Sequence, residues 1–320
     1  MKAAIATSYG SPDVIHLAEV PMPTPKPTEI LVRIHASAVN AADWRLRSAN
    51  PWFVRLVFGP FKPRRPILGV VFAGEVVGTG VAATKYKKGD KLFGWTSLMK
   101  LGGHAEYVAL PETGAFAPIP AAMSYTDAAA IPFGFGTAFS FLRKAQVAQG
   151  QRVLIYGASG AVGSAAVQLA KTMGAQVTGV CSTRNTELVR SLGADHVLDY
   201  TKDDILAKRD LYDVVFETVG KLPFKESLAL VKQSGTIITG SEMPTQMLAR
   251  LFAGKADKQV KVIGGTALST AADMKHLAQL SAEQAILPVI DQVLPLERIV
   301  EAHARAESGR KVGNVVVEMG

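Results

Sequence analysis

Cysteine is nearly absent from this sequence, since Cys181 is the one cysteine in 320 residues. A single thiol excludes internal disulfides and any zinc site built from several thiolates. It also fits a reducing compartment. Charged residues make up only 19% of the chain and aromatic residues 7%, whereas hydrophobic residues reach 48%. So much apolar material excludes a disordered chain, and the length is typical of about two domains.

Long apolar runs are also missing. The charge-free stretch at residues 153–170 is interrupted by three glycines, two serines and a glutamine, so it is a poor membrane span. The first ten residues enter a strand-like pattern without the apolar region of a signal peptide. We therefore expect a cytoplasmic protein with no membrane partner.

Acidic residues are fewer than basic ones, 27 against 35, which gives a net charge of +8. This excess favours an anionic partner, and nucleic acid, a membrane surface and a phosphate-bearing cofactor all qualify. Basic residues gather at positions 55–65 and again at 85–91, but neither group is a long block of like charge. We expect most of them to be solvated surface.

The pattern of the chain changes near residue 124. Before that point it is β-rich, with alternation at residues 30–39, an apolar run at 70–77 and a short strand at 91–93. Afterwards, Ser124 is placed as the N-cap of a helix over 124–130 with Asp127 at its third position, and a second helix is expected over 137–145. Strands and helices then alternate, which predicts a parallel sheet covered on both faces. The expected strands are 152–156, 176–180, 196–198, 214–216, 236–239 and 261–263, and the expected helices are 162–173, 186–192 and 224–230. The last fifty residues add helices at 271–280 and 297–307 and strands at 289–293 and 314–318.

A glycine-rich turn at residues 157–163, GASGAVG, lies between the strand at 152–156 and the helix at 162–173. Tight glycine turns let a backbone approach a pyrophosphate, and the following helix N-terminus attracts anions. Glycines also serve tight turns that have only a packing role. Because alternating units follow the turn, we favour dinucleotide binding. The expected cofactor-binding residues here are Gly157, Ser159, Gly160, Ala161, Val162 and Gly163.

Cofactor choice depends on the end of the second strand of this region. Enzymes that use NAD usually carry Asp or Glu there for the ribose 2′-hydroxyl. This chain has CSTRN at 181–185 and no carboxylate before Glu187. Ser182 and Arg184 can bind a 2′-phosphate instead, which predicts NADPH over NADH. The alternative is that Arg184 is an ordinary exposed arginine.

Several motifs together resemble the medium-chain dehydrogenase/reductase superfamily, and within it the zinc-independent NADPH:quinone oxidoreductase branch. They are GASGAVG at 157–163, LGADHVLDY at 192–200, VNAAD at 39–43, GGHAEYV at 102–108, and AAAIP at 128–132 followed by GTA at 136–138. The resemblance implies an α/β fold with a GroES-like β-barrel catalytic domain, at residues 1–122 and 268–320. A Rossmann domain with a doubly wound parallel sheet, at 123–267, would be inserted into it. It also implies a homodimer, joined through the strand at 261–263.

The departures from the zinc-dependent members concern the metal ligands. Those members have Cys where Asn40 stands and His where Val70 stands, so we expect no metal. Zinc lets an alcohol dehydrogenase form an alkoxide near neutral pH. A quinone or an α,β-unsaturated carbonyl is already electrophilic and can take hydride directly. We therefore expect hydride transfer from NADPH to a small hydrophobic acceptor of this kind.

The resemblance also suggests roles for individual residues. The Asn40 amide would orient cofactor or substrate, although a strand-end turn residue is the alternative, and Asp43 is expected to cap the next helix. Thr137 would face the nicotinamide, and Tyr200 would lie near the adenosine ribose or its phosphate. His104 is either lining of the substrate cleft or a surface histidine. The aromatic segment at 51–61, which contains Phe53, either walls a pocket for substrate or packs on the barrel.

Two other functions stay open at this point. The first is an alkenal or enoyl reductase that uses NADPH and differs only in its acceptor. The second is a non-catalytic protein that binds NADPH and associates with RNA or another partner, which the basic pI permits. No motif resembles an RNA-binding platform, so we expect no nucleic-acid partner.

Overall fold

The computed structural model describes residues 1–240, 259–267 and 269–320 of the chain. It separates into two compact units, Met1–Phe133 with Ser269–Gly320 and Gly134–Leu268. The expected domain boundary after residue 122 lies earlier than the division in the structure, which falls inside one helix. Among the described residues, no helix is both long and apolar enough to cross a membrane.

The first unit is built mainly on antiparallel strands, with one parallel pair at the edge of its sheet. Its main sheet has seven strands in the order β14-β15-β3-β4-β5-β7, with β6 also paired to β3, and β1 and β2 form a separate pair. The C-terminal strands β14 and β15 belong to this sheet, and β15 runs antiparallel to β3. The strands are β1 (Lys2–Ala6), β2 (Ile15–Glu19), β3 (Glu29–Val39), β4 (Val71–Thr79), β5 (Lys91–Trp95), β6 (Tyr107–Pro111), β7 (Phe116–Pro118), β14 (Ile290–Pro295) and β15 (Asn314–Glu318). The helices are α1 (Ala41–Ser48), α2 (Val54–Phe58), α7 (Ala271–Ala282) and α8 (Ile299–Glu307).

The second unit is a six-stranded parallel sheet in the order β10-β9-β8-β11-β12-β13. Its strands are β8 (Arg152–Tyr156), β9 (Gln176–Cys181), β10 (His196–Asp199), β11 (Tyr212–Glu217), β12 (Val231–Thr239) and β13 (Lys261–Gly264). Its helices are α4 (Ala161–Thr172), α5 (Thr186–Ser191) and α6 (Phe224–Leu230). The alternation of strands and helices in the sequence correctly predicted this sheet. Strand β12 begins at Val231, earlier than expected.

Helix α3 (Tyr125–Ala145) corrects one expectation. The sequence suggested two helices, over 124–130 and 137–145, but the structure has one helix with Pro132 inside it. Proline removes a single backbone donor from a helix. The helix is buried from residue 128 to 138 except at Phe133, and this burial offsets the lost hydrogen bond. The start was predicted correctly, because the Asp127 amide donates to the Ser124 hydroxyl oxygen at 3.0 Å.

Candidate functional site

The glycine turn of the second unit brings a helix and a strand unusually close together. Gly157 follows β8 with φ at +83°, a conformation that side chains disfavour. A methyl carbon added at Gly163 would lie 2.0 Å from the Gly157 carbonyl oxygen. These two glycines are therefore required by the close packing of α4 on the end of β8.

Gly160 differs from the other two glycines because it has room for a side chain. Its φ is −79°, and an added methyl carbon would lie 3.5 Å from the Gly157 carbonyl oxygen. It is the N-cap of α4 and offers no side-chain cap to the first-turn amides. Those uncapped N–H groups, of Ala161, Val162 and Gly163, and the positive end of the helix dipole suit a pyrophosphate. The cradle thus fits a dinucleotide.

A buried asparagine ties the glycine turn to the end of β9. The Asn185 side-chain amide donates to the Ser159 hydroxyl oxygen at 2.9 Å and to the Ser182 hydroxyl oxygen at 3.4 Å. Sequence reasoning missed Asn185, although an asparagine just before a helix is a signal for a local polar contact. Arg184, beside it, is exposed. The predicted pair Ser182 and Arg184 therefore belongs to the same loop cluster as Ser159.

The carboxylate at the end of β10 is fully engaged within the protein. Asp199 accepts hydrogen bonds from the Thr183 hydroxyl, from the Thr201 amide at 3.0 Å and from the Thr201 hydroxyl at 2.7 Å. The Thr183 bond is the main cause that lowers the pKa of Asp199. The next residue, Tyr200, is half exposed and stacks on Tyr156 with ring centroids 6.5 Å apart. Tyr200 thus lies at the same strand-end edge as the glycine turn.

Glu217, at the end of β11, closes a turn. One of its carboxylate oxygens accepts from the Val219 amide at 2.8 Å and from the Gly220 amide at 2.6 Å. Burial raises its pKa, and the backbone N–H donors oppose that rise. These bonds give Glu217 a structural role. Thr137 is buried in α3, and its position facing the nicotinamide stays a prediction.

In the first unit, Asn40 and Asp43 form a capping box at the start of α1. The Asn40 side-chain oxygen accepts from the backbone amide of Ala42 at 2.9 Å, and the backbone amide of Asn40 donates to an Asp43 carboxylate oxygen at 3.0 Å. The other Asp43 oxygen accepts from the amides of Gly69 and Val70, each at 3.1 Å. Asn40 is therefore the N-cap of α1, and Asp43 completes the cap from the third helical position, in line with its expected capping role. A contact of Asn40 with cofactor or substrate stays a prediction.

The environment of Asp43 is dry, because its side chain is fully buried. Burial raises its pKa to about 7, although three backbone N–H donors favour the ionised form. Asp43 thus binds the backbone amides of Asn40 and Val70, the two residues from which the sequence comparison predicted the lack of a metal site. Over the described ranges of the chain, no group of three or more His, Cys, Asp or Glu side chains is suited to a metal ion.

The two expected substrate residues have opposite surroundings. His104 is 1% exposed and its ring meets that of His303 with centroids 5.3 Å apart. Burial lowers the pKa of His104 to about 4. The surface-histidine alternative is therefore wrong. Phe53 is 44% exposed and meets Trp52 edge-on, so packing of this segment against the barrel does not account for it. Contact of either residue with substrate stays a prediction.

Comparison with known proteins agrees with this architecture. Residues 26–121 match the family model for the alcohol dehydrogenase GroES-like domain, and residues 192–317 match the model for zinc-binding dehydrogenase. A 2-methylene-furan-3-one reductase of Solanum lycopersicum is 32% identical, over 99% of this chain and 79% of its own length. A quinone oxidoreductase of Homo sapiens is 30% identical, over 95% of this chain and 93% of its own.

The fold also matches that of a solved structure. The quinone oxidoreductase of Coxiella burnetii superposes with a TM-score of 0.90 at 28% identity, and the match covers 99% of each chain. The expected GroES-like domain and the expected Rossmann-type parallel sheet are therefore both confirmed. The chain is an oxidoreductase that binds a pyridine nucleotide. It belongs to the medium-chain dehydrogenase/reductase superfamily, in the quinone oxidoreductase branch.

Proposed function

We propose that this protein reduces quinones or α,β-unsaturated carbonyl compounds with NADPH and needs no zinc. The observation that carries the proposal is the residue pair at the positions of the zinc ligands. Asn40 uses its side-chain oxygen to cap a helix, and Val70 offers only a backbone N–H, which Asp43 binds. Neither side chain is a thiolate or an imidazole, the ligands that zinc prefers.

This residue pair limits the acceptors that the protein can reduce. Without a Lewis acid, the negative charge that develops on a simple carbonyl oxygen has little stabilisation. A quinone or an enone spreads that charge through conjugation, so hydrogen-bond donors or water suffice. The names of the relatives, a 2-methylene-furan-3-one reductase and a quinone oxidoreductase, support acceptors of this class.

The cofactor proposal rests on the loops at the strand ends of the parallel sheet. When bound, NADPH supplies the hydride. The uncapped amides at the start of α4 would hold its pyrophosphate. Ser182 and Arg184 would bind the 2′-phosphate through charge-assisted hydrogen bonds. No Asp or Glu follows β9 directly to accept a ribose 2′-hydroxyl, which favours NADPH over NADH.

Asn40 would act through the donor end of its amide. Its oxygen accepts the bond that caps the helix. Among the described residues, its side-chain nitrogen makes one long bond, of 3.4 Å, to the Ala38 carbonyl. That N–H group can orient the substrate carbonyl or the carboxamide of the cofactor. The proton that completes the reduction would come from solvent or from a ribose hydroxyl of the cofactor.

The quaternary structure and location follow the expectations from the sequence. We propose a homodimer joined along β13, since this strand is the outer strand of the parallel sheet and an outer strand has unpaired backbone groups. We propose a cytoplasmic location for the enzyme.

The experiment that tests the function is an acceptor survey. Oxidation of NADPH and of NADH is followed with a quinone, an enone and a saturated aldehyde. We expect turnover of the quinone or the enone with NADPH, slower turnover with NADH, and none with the aldehyde. Turnover confined to the aldehyde would contradict the proposal. Tight NADPH binding with no turnover of any acceptor would favour a non-catalytic binding protein.

A further inference from the structure

Large apolar side chains are exposed together in a short segment of the first unit, at α2 and the loops on either side. Trp52 is 71% exposed and Phe61 is 91% exposed. Phe53, Leu56 and Val57 between them are also exposed. Isolated exposed hydrophobic residues are ordinary, but a contiguous set of them marks an interaction surface.

Basic side chains alternate with these apolar ones. Arg55, Lys62, Arg64 and Arg65 are exposed in the same segment, and residues 44–74 contain no Asp or Glu. In the part of the chain that the structure describes, none of the four forms an ion pair. We call the exposed side chains of residues 52–65 the aromatic-basic patch.

The patch is an ordered surface with defined internal bonds. The Tyr9 hydroxyl donates to the Gly59 carbonyl at 2.8 Å, and the Arg64 amide donates to the Phe58 carbonyl at 2.8 Å. The Arg55 guanidinium lies over the Tyr9 ring, 5.1 Å from its centroid. Beside it, Val57, Arg64 and exposed Met99 line a largely apolar pocket. These contacts hold the backbone of the segment that carries the exposed aromatic side chains.

We propose that the aromatic-basic patch docks this protein on the surface of an anionic lipid bilayer. Trp and Phe favour the boundary between headgroups and acyl chains, and Lys and Arg beside them are attracted to anionic lipids. The absence of acidic residues in the segment removes the repulsion that such a surface would otherwise exert. This proposal does not rest on the proposed enzymatic activity, although Phe53 belongs both to the patch and to the predicted substrate-binding residues. It differs from the sequence-based expectation of no membrane partner.

The test is sedimentation of the full chain with lipid vesicles. We expect binding to vesicles of phosphatidylcholine and phosphatidylglycerol at about three to one, weakening with salt, and little binding to pure phosphatidylcholine. Loss of two charges in Lys62→Ser/Arg64→Ser should weaken binding by about fivefold per charge. Trp52→Ser/Phe61→Ser should weaken it by a similar or larger factor.

Matched variants separate the patch from general charge and hydrophobicity. Lys87→Ser/Lys88→Ser removes two exposed basic residues elsewhere, and Val81→Ser/Leu287→Ser removes two exposed apolar ones. Both should bind like the parent protein. Equal losses in these controls would overturn the proposal. So would failure of the parent to bind anionic vesicles, which would leave an acidic protein as the occupant of the patch.

Fluorescence gives a second readout that starts from the parent protein and needs only one conservative substitution. Brominated acyl chains quench tryptophan only on contact. We expect them to quench the emission of the bound protein, and we expect the quenching to disappear in Trp52→Phe, which keeps Trp44 and Trp95. Quenching that persists in Trp52→Phe would place the bilayer against a different surface and refute the docking site.

Discussion

Replacing Gly163 by alanine adds a methyl carbon 2.0 Å from the Gly157 carbonyl oxygen, and 2.8 Å from the carbonyl carbon of the same residue. Ordinary contacts of such a carbon begin at 3.4 Å. Because the obstacle is backbone, α4 must move away from β8 by more than an ångström. Overpacking of this kind costs about 1–3 kcal/mol. The expected result is a loss of this size in the free energy of unfolding, together with weaker dinucleotide binding.

Gly160→Ala is the matched control within the same turn. Its methyl carbon would lie 3.5 Å from the Gly157 carbonyl oxygen, so the free energy of unfolding should fall by no more than about 1 kcal/mol, the usual cost of alanine at an N-cap. NADPH binding should still weaken, because the methyl group lies where the backbone would approach the pyrophosphate. Urea unfolding and titration with NADPH measure the two quantities. A Gly163→Ala protein as stable as Gly160→Ala would refute the packing argument. Unchanged NADPH affinity in Gly160→Ala would refute the proposal that this turn binds the pyrophosphate.

Three further predictions concern single side chains. Arg184→Ala should raise KM for NADPH about tenfold and leave KM for NADH unchanged, because one charge-assisted hydrogen bond is lost; equal effects on both cofactors would contradict this role. Asn40→Ala should lower the free energy of unfolding by about 1 kcal/mol and should also lower kcat/KM. Asn40→Ser should restore the stability, because its hydroxyl group can cap the helix, but it should not restore the activity. Restored activity in Asn40→Ser would show that Asn40 acts only as a helix cap. Asp43 has its pKa raised to about 7, so its stabilising contribution is complete below pH 4 and is lost as the pH rises through 7. The free energy of unfolding should therefore fall between these values by up to about 4 kcal/mol more in the parent than in Asp43→Asn; parallel pH profiles would refute the shift.

Local sequence rules predicted most of the second unit, because each of its elements is decided by short-range patterns. The strand at 152–156 and the helix at 224–230 were predicted with the bounds that the structure has. The capping roles of Ser124 and Asp43 were also readable, since both depend on residues three positions apart. The unbroken helix α3 could not be predicted in this way. The hydrogen bond that Pro132 removes is visible in the local sequence, whereas the burial that offsets its loss depends on tertiary packing.

The contacts that the sequence could not predict join residues far apart in the chain. Asn185 and Ser159 meet only because β8 and β9 are neighbours in the sheet. The contact between the rings of His104 and His303 joins residues that are far apart in the chain. The exposure of Trp52 and Phe61 could not be predicted either, since an aromatic segment has the same sequence pattern whether it packs inward or lies on the surface.

The most direct test of the central claim is the effect of metal removal on the reaction itself. Enzyme is treated with a strong chelator, and the rate of NADPH oxidation by a quinone and by an enone is compared before and after treatment. Because Asn40 and Val70 supply neither a thiolate nor an imidazole, we predict that the rate is unchanged and that added zinc does not raise it. Loss of the rate after chelation, with recovery on addition of zinc, would contradict the account.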